Sequence, residues 1–324
     1  MVESAAPPPA RGQPVKPALE ALEERAVLST ASLTLHAVTD AFNNSAVFYL
    51  NPQDQGFYEH DAYHGTRELA GPGLVQAFSA GVDNYGVADV FAKASVTSFW
   101  EYNNNIGWHK ILGPNVVGSF AAVKGDRVYF QTWDNALWLY GSNVGFYEMA
   151  APNSVLSIDA VTDGHGNDAV FALGTDHSFG EYHATGYFSL APAYTIQPGF
   201  SAGFGINGNA DVFGLDSAGE FCEFDNFNSF VWRVWPGTKN FTEISATSYG
   251  IVYALGSDGH LIMFDENGRG NGTYFGDITP PGSSFGDISA AGPYDLYTIT
   301  PDNTGWERTG GGLWMPFAAS GPVF

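Results

Sequence analysis

Cysteine is almost absent. Cys222 is the only one in 324 residues, so no internal disulfide can form and the fold must be held by packing alone. Cations are scarce too, with 12 Lys and Arg against 34 Asp and Glu and a formal charge of -22. Nucleic acids and anionic membrane surfaces are bound through basic patches that release counterions. Twelve scattered cations cannot build such a patch, and neither partner is expected. No apolar run approaches the roughly 18 residues of a membrane-spanning helix, so no transmembrane segment is expected. Charged residues make up 14% and hydrophobic residues 44%, a balance that excludes disorder throughout.

What the chain has is glycine and phenylalanine, 40 and 25 residues, a composition that favours many short strands joined by tight turns. Residues 1–30 read as a flexible tail ahead of a body at 31–324. Pro7, Pro8, Pro9, Pro14 and Pro17 keep the start of the tail from forming a core, and Ala18 to Leu28 can form a short helix. The segment Leu22-Glu23-Glu24-Arg25-Ala26-Val27-Leu28-Ser29 resembles the LExR-x-LLS-type motif near the N-termini of many large surface or exported bacterial proteins. That resemblance implies an extracellular or cell-surface location. No ordinary secretory h-region is present, and the same residues also read as a frayed helix capping the body.

The body repeats. A small-residue step ending in alanine recurs at Ala37, Ala80, Ala122, Ala160, Ala202, Ala246 and Ala290. A β-branched residue or Leu followed by an aromatic recurs a few residues later: Val47-Phe48, Val90-Phe91, Val128-Tyr129, Val170-Phe171, Val212-Phe213, Val252-Tyr253 and Leu296-Tyr297. A third landmark follows as Glu59, Glu101, Glu181, Glu223 and Glu307, with Leu139 and Met263 in the remaining two units. Each unit of about 42 residues reads as four short strands, the size of a propeller blade. In the fourth unit the strands are expected near Ser157 to Val161, Ala169 to Gly174, Phe179 to His183 and Tyr187 to Ala191. A blade alone leaves both faces apolar, so neighbours must stack on it. The expected fold is all-β: a seven-bladed β-propeller with four antiparallel strands per blade. The last unit is short, with strands around Leu296, Trp306 and Trp314, and Val323-Phe324 or Val27 to Ser32 could add a ring-closing strand.

The repeats lack the recurrent Gly-His and Trp-Asp pair of WD40 proteins, since Trp133-Asp134 is the sole instance, and they lack the sialidase box. Asp89-Val90-Phe91-Ala92, Ala169-Val170-Phe171-Ala172, Ser257-Asp258-Gly259-His260-Leu261 and Ile106-Gly107-Trp108 resemble the repeats of the tectonin/tachylectin-like group and of bacterial seven-bladed fucose-binding lectins of the PLL type. The resemblance implies sugar sites between adjacent blades. The tryptophans typical of those repeats are sparse, with Trp100, Trp138 and Trp306 before the third landmark and Tyr58, Gly180, Cys222 and Ile262 in the other units.

The candidate ligand-binding residues are Tyr58, Glu59, Trp100, Glu101, Tyr102, Glu181, Tyr182, Glu223, Trp306 and Glu307. A carboxylate accepts paired hydroxyl hydrogen bonds while a ring covers the apolar face of a sugar. The other reading of the same residues is packing between blades, a problem every blade must solve. Asp83 to Asp89, Asp163 to Asp168 and Asn207 to Asp211 are similar to calcium loops, but none has a full Asp ladder and ordinary hairpin turns explain the same residues. No cofactor is expected, calcium remaining the one candidate ion. The scattered histidines show no zinc spacing, and no nucleophile elbow or phosphate loop occurs. Asp40, Asp159 and Asp287, near the first strands, are the channel carboxylates that a divergent hydrolase or lyase would use. Cys222 reads as a small core residue. The leading expectation is a non-enzymatic, exported or surface-associated, lectin-like protein that recognises carbohydrate between blades. The alternatives are a structural or protein-interaction ring, with an extracellular protein as partner, and the divergent channel enzyme.

Overall fold

The computed structural model describes residues 35–317, except 52, 62–63, 96–97, 112, 114–115, 184–185, 192–194, 226–230, 266–272, 303 and 311. The N-terminal segment, with its tail, helix and export-motif expectations, lies outside the described residues, as does Val323-Phe324.

Seven antiparallel sheets follow one another, each built from four strands that are consecutive in the chain and paired in sequence order. Blade 1 spans residues 35–70, blade 2 77–111, blade 3 116–150, blade 4 155–191, blade 5 201–239, blade 6 241–277 and blade 7 287–317. No helix occurs among the described residues. The strands of blade 4, Val155–Thr162, Asp168–Gly174, Phe179–His183 and Gly186–Ala191, lie within two residues of their expected bounds. The first strand of every blade touches that of the next, and that of blade 7, Asp287–Ala290, touches that of blade 1, Leu35–Thr39. The ring therefore closes blade against blade. Blades 1 and 7 already hold four strands each, so closure needs no strand from either end of the chain.

Burial explains why the second strands do not alternate between apolar and polar. Ala46 to Tyr49, Ala169 to Leu173 and Ile251 to Leu255 are buried without a break, as expected of strands covered on both faces. Successive side chains point to opposite faces, so the repeated dipeptide divides between two neighbours. Val47 packs with Tyr297, Ile299 and Phe317 of blade 7, whereas Phe48 packs with Phe78 and Val90 of blade 2. Val170 likewise joins Tyr129 of blade 3, and Phe171 joins Phe200 and Val212 of blade 5.

The seams are also hydrogen-bonded at the inner strands. The residue preceding the repeated alanine accepts the backbone N–H of the next blade's alanine: Ser79 from Ala122 at 2.9 Å, Asp159 from Ala202 at 2.8 Å, Ser201 from Ala246 at 3.0 Å, Ser245 from Ala290 at 2.9 Å and Ser289 from Ala37 at 2.8 Å. The last of these closes the ring, with help from Thr39 Oγ1 donating to the Ala291 carbonyl at 2.8 Å. Small residues are required because the strands are so near. A Cβ at Gly81 would meet the Val123 carbonyl oxygen at 2.7 Å, and one at Gly203 the Thr247 carbonyl oxygen at 2.5 Å.

Ser289→Ala leaves the Ala37 N–H buried without this acceptor and is expected to cost about 1–3 kcal/mol in urea unfolding. Ser217→Ala, at an exposed turn position, is expected to leave the midpoint unchanged.

Candidate functional site

Strand register decides where the repeated glutamates point. Glu59, Glu101, Glu181, Glu223 and Glu307 lie directly across from Phe48, Phe91, Phe171, Phe213 and Tyr297, and residues paired in this way share a face of the sheet. Each carboxyl thus faces the seam with the following blade. Four of them are 1–4% exposed and Glu307 is half-buried. Leu139 and Met263, at the same register, fill that place with hydrocarbon.

Several of these carboxyls have guanidinium, imidazole or hydroxyl neighbours. Arg67 Nε donates to Glu59 Oε2 at 2.6 Å, and Arg67 continues to Asn104 of blade 2. His109 Nε2 lies 2.9 Å from Glu101 Oε2 and His183 Nε2 3.2 Å from Glu181 Oε2. The Tyr297 hydroxyl donates to Glu307 Oε1 at 3.3 Å. Burial raises the Glu59 carboxyl above its ordinary range while Arg67 pulls it back. Glu181, where burial is followed by repulsion from Asp163, is pushed up to about 7.

The aromatic candidates face the other way. Tyr58 stacks on Tyr49 at 5.5 Å, within the seam between blades 7 and 1, and donates its hydroxyl to Asp54 Oδ2 at 2.7 Å. Trp306 packs into the seam between blades 6 and 7. Trp100 is half-buried with the Lys110 ammonium 6.0 Å above its ring. Tyr102 packs on Trp108 at 5.1 Å in the seam between blades 1 and 2, and Tyr182 belongs to the seam between blades 3 and 4. A ring and the glutamate beside it in sequence therefore occupy different grooves, whereas a glutamate meets the tyrosine of the next blade. Glu59 and Tyr102 are such a pair: burial raises the phenol, Arg67 opposes it and the Glu59 carboxylate adds a smaller push upward.

One groove is open. In blade 4 the position before the glutamate is Gly180, and a Cβ there would fall 2.2 Å from the Tyr187 ring. Where other blades place a Trp, Tyr187 instead lies across the strand, 4.8 Å from Tyr182. A cavity of about 290 Å³ remains between Tyr182, Tyr187, the Thr175 to Ser178 turn and Asn153 of the connection from blade 3. Asp176 Oδ1 accepts from Ser178 Oγ at 2.6 Å and from its N–H at 2.9 Å, which aligns the turn along the rim. Tyr187 is 43% exposed. Of the sequence candidates only Tyr182 lines this cavity. Gly180, in the position that holds a Trp in blades 2, 3 and 7, is the sequence feature that lets the Tyr187 ring lie beside Tyr182.

The calcium-like loops are capped hairpin turns. Asp83 Oδ1 accepts the N–H groups of Tyr85 and Val87, each at 2.8 Å, and Asp163 Oδ1 those of His165 and Asn167 at 2.9 and 2.7 Å. The three channel candidates perform three separate tasks. Asp40 caps its turn through the Phe42 and Asn44 N–H groups, Asp159 bridges blades 4 and 5 with burial pushing it up to about 6, and Asp287 lies against the buried Glu243. Burial pushes the Cys222 thiol up to about 12, and its Sγ faces the Gly214 carbonyl at 3.3 Å.

No protein-family model matches the sequence, and no curated relative matches it. Solved propellers share the fold. The WD40 repeats of RRP9 are 10% identical, with 84% of this chain and 92% of that chain covered and a TM-score of 0.58. Yeast RCC1, solved with Kap60 bound, is 10% identical over 74% of this chain and 72% of its own, with a TM-score of 0.53. The SapL1 lectin, solved in complex with α-methyl fucoside, is 15% identical over 92% of this chain and 100% of its own, with a TM-score of 0.50.

Because the folded-state value of Glu181 is raised, its carboxyl costs nothing while protonated and destabilises the fold once ionised. Glu181→Gln is expected to leave stability unchanged below about pH 4.5, the ordinary value. The gain should grow through about pH 7 to roughly 1 kcal/mol, discounted for solvent screening. Urea midpoints at pH 4, 6 and 8 measure it.

Proposed function

We propose that the protein is a non-catalytic, lectin-like binding propeller that takes a saccharide in the groove between blades 3 and 4. The observation that carries this reading is the cavity between Tyr182, Tyr187 and the Thr175 to Ser178 turn. At about 290 Å³ it lies at the small end of ligand pockets, a size for one sugar ring. It pairs exposed tyrosine surface with a hydroxyl- and carboxylate-bearing turn. Sugars need both, an apolar C–H face covered by a ring and hydroxyls held by directional acceptors. The likeness to a fucoside-binding lectin over nearly the whole chain supports the same reading, and placement outside the cell, expected from the Leu22 to Ser29 segment, goes with it.

A second reading rests on a different face. The turns joining first to second strands and third to fourth strands lie at one end of every antiparallel sheet. They expose Phe42, Tyr85, Ile106, Val144, Ile206, Tyr249, Tyr294 and Leu313, whereas the turns at the other end expose Leu74 and Trp133. Such one-sided apolar exposure favours a protein partner. The Thr175 to Ser178 turn is at the opposite end, so the two readings use opposite faces of the ring.

On a panel of immobilised glycans that includes α-methyl fucoside, saturable binding is expected. Tyr187→Ala and Asp176→Ala should each weaken it at least about tenfold, the loss of one stacked ring or one charged hydrogen bond. Silence across the panel, or binding indifferent to both changes, would overturn the saccharide reading and leave the apolar face as the functional one.

A further inference from the structure

The seam between blades 2 and 3 gathers three carboxyls, Asp89, Glu101 and Asp126, within a short distance of one another. Asp89 and Glu101 project from the second and third strands of blade 2, on the face that carries Phe91, and Asp126 closes the first turn of blade 3. One oxygen from each lies within 4.8 Å of the others, and among the described residues this is the one place where three potential ligand groups come so close. Asp89 is 1% exposed, and apart from the Glu101 carboxyl and the Val90 N–H beside it neither of its carboxylate oxygens meets a hydrogen-bond partner. Glu101 is 4% exposed, with the His109 ring on one oxygen. Asp126, half-buried, is oriented by the Asn84 side chain and N–H and by Ser142 Oγ.

Two other carboxylates along the seams find cations within the protein. Glu59 has Arg67, and Asp168 has Arg127 at 2.9 Å. Arg127 follows Asp126 in sequence but points into the next seam, toward Asp168. Blade 5 repeats the Asp89 and Glu101 pair as Asp211 and Glu223. There Gly250 stands where blade 3 has Asp126, so the third acid is peculiar to this seam.

Three like charges at such distances, one of them desolvated, repel unless something positive lies between them. We propose that Asp89, Glu101 and Asp126 bind a hard divalent cation of calcium size in the seam between blades 2 and 3. The donor set is all oxygen, which calcium prefers, and oxygens coordinated at about 2.4 Å to one ion stand at most about 4.8 Å apart, a limit that the three oxygens here satisfy. Three carboxylates supply three to six of the six to eight oxygens that calcium takes, with water completing the shell on the open Asp126 side. The ion would tie the first turn of blade 3 to the middle strands of blade 2. Burial and the Glu101 charge push the Asp89 carboxyl up to about 9, so the alternative occupant of the cluster is a proton held by Asp89, and the experiment separates the two.

The full-length protein is stripped with EDTA and titrated with CaCl₂ by calorimetry and by thermal unfolding. Expected are one saturable site and a melting temperature raised by about 4 °C at a hundredfold excess over the dissociation constant. Asp126→Asn, at a half-buried and foldable position, should weaken binding at least tenfold, and Asp211→Asn should leave it intact. Terbium gives a second readout, since Tyr140 lies within the field of all three carboxyls and can sensitise the ion's emission. That emission should vanish in Asp126→Asn. No heat, no thermal shift and no sensitised emission at millimolar ion would overturn the proposal in favour of the shared proton, and binding that survives Asp126→Asn would overturn the assigned ligands.

Discussion

Each blade is a single sheet with a neighbour on both faces, and that arrangement governs everything else in the ring. A lone sheet of four short strands buries nothing on either side, so its apolar residues acquire a core only when the next sheet arrives. The β-branched and aromatic dipeptide meets this need with two adjacent residues, one for each seam. The seven apolar clusters of the structure correspond to the seven seams, and none is internal to a blade. Stability is therefore a property of the closed ring. The inner hydrogen bonds act at the same places, tying the alanine N–H of one blade to the serine or aspartate of the blade before it.

The same geometry explains which parts of the protein were readable in advance. The repeats stand out because every blade meets one packing requirement at one register, and strand bounds follow from the turns between them. Closure was harder to read. A short seventh unit suggests a borrowed strand, but Ser289 and Thr39 join complete four-stranded blades by side chain and backbone, and residues 252 positions apart give no local sign of such a bond. For the site, the period of two along a strand is enough to place Trp100 and Glu101 on opposite faces, once the strand is recognised. Tyr187 and Asp176 could not be found in this way. Their meeting depends on the width of a groove whose far wall includes Asn153 from the connection out of blade 3.

Openings in such a ring arise by subtraction. Where a large residue stands before the repeated glutamate, as Tyr58 and Trp306 do, the groove is filled and the polar groups beneath it are sealed from solvent. In blade 4 that position is Gly180, the Tyr187 ring lies over it, and a cavity stays open beside Tyr182 and Tyr187. The remaining groove joins a turn rich in hydroxyl and carboxyl groups. A departure from the repeat is thus more informative about ligand binding than the repeat itself, because the repeated positions already serve packing.

The acidity of the chain divides along the same line. Exposed aspartates and glutamates are hydrated at little cost, and surface charge of one sign keeps protein molecules apart in water. Asp89 does nothing of the kind at 1% exposure. A buried carboxylate costs free energy unless paired, and a leucine or methionine is accepted at the equivalent of Glu101 in blades 3 and 6, so packing does not require an acid there. Arg67 makes the cost small for Glu59. In the seam between blades 2 and 3 the acids are instead concentrated, with Asp126 adding a third charge beside two that already repel. Apolar residues would satisfy the seam better than this cluster does by itself, and its composition becomes intelligible when a positive ion, absent from the chain's own residues, is counted among the groups that the seam holds.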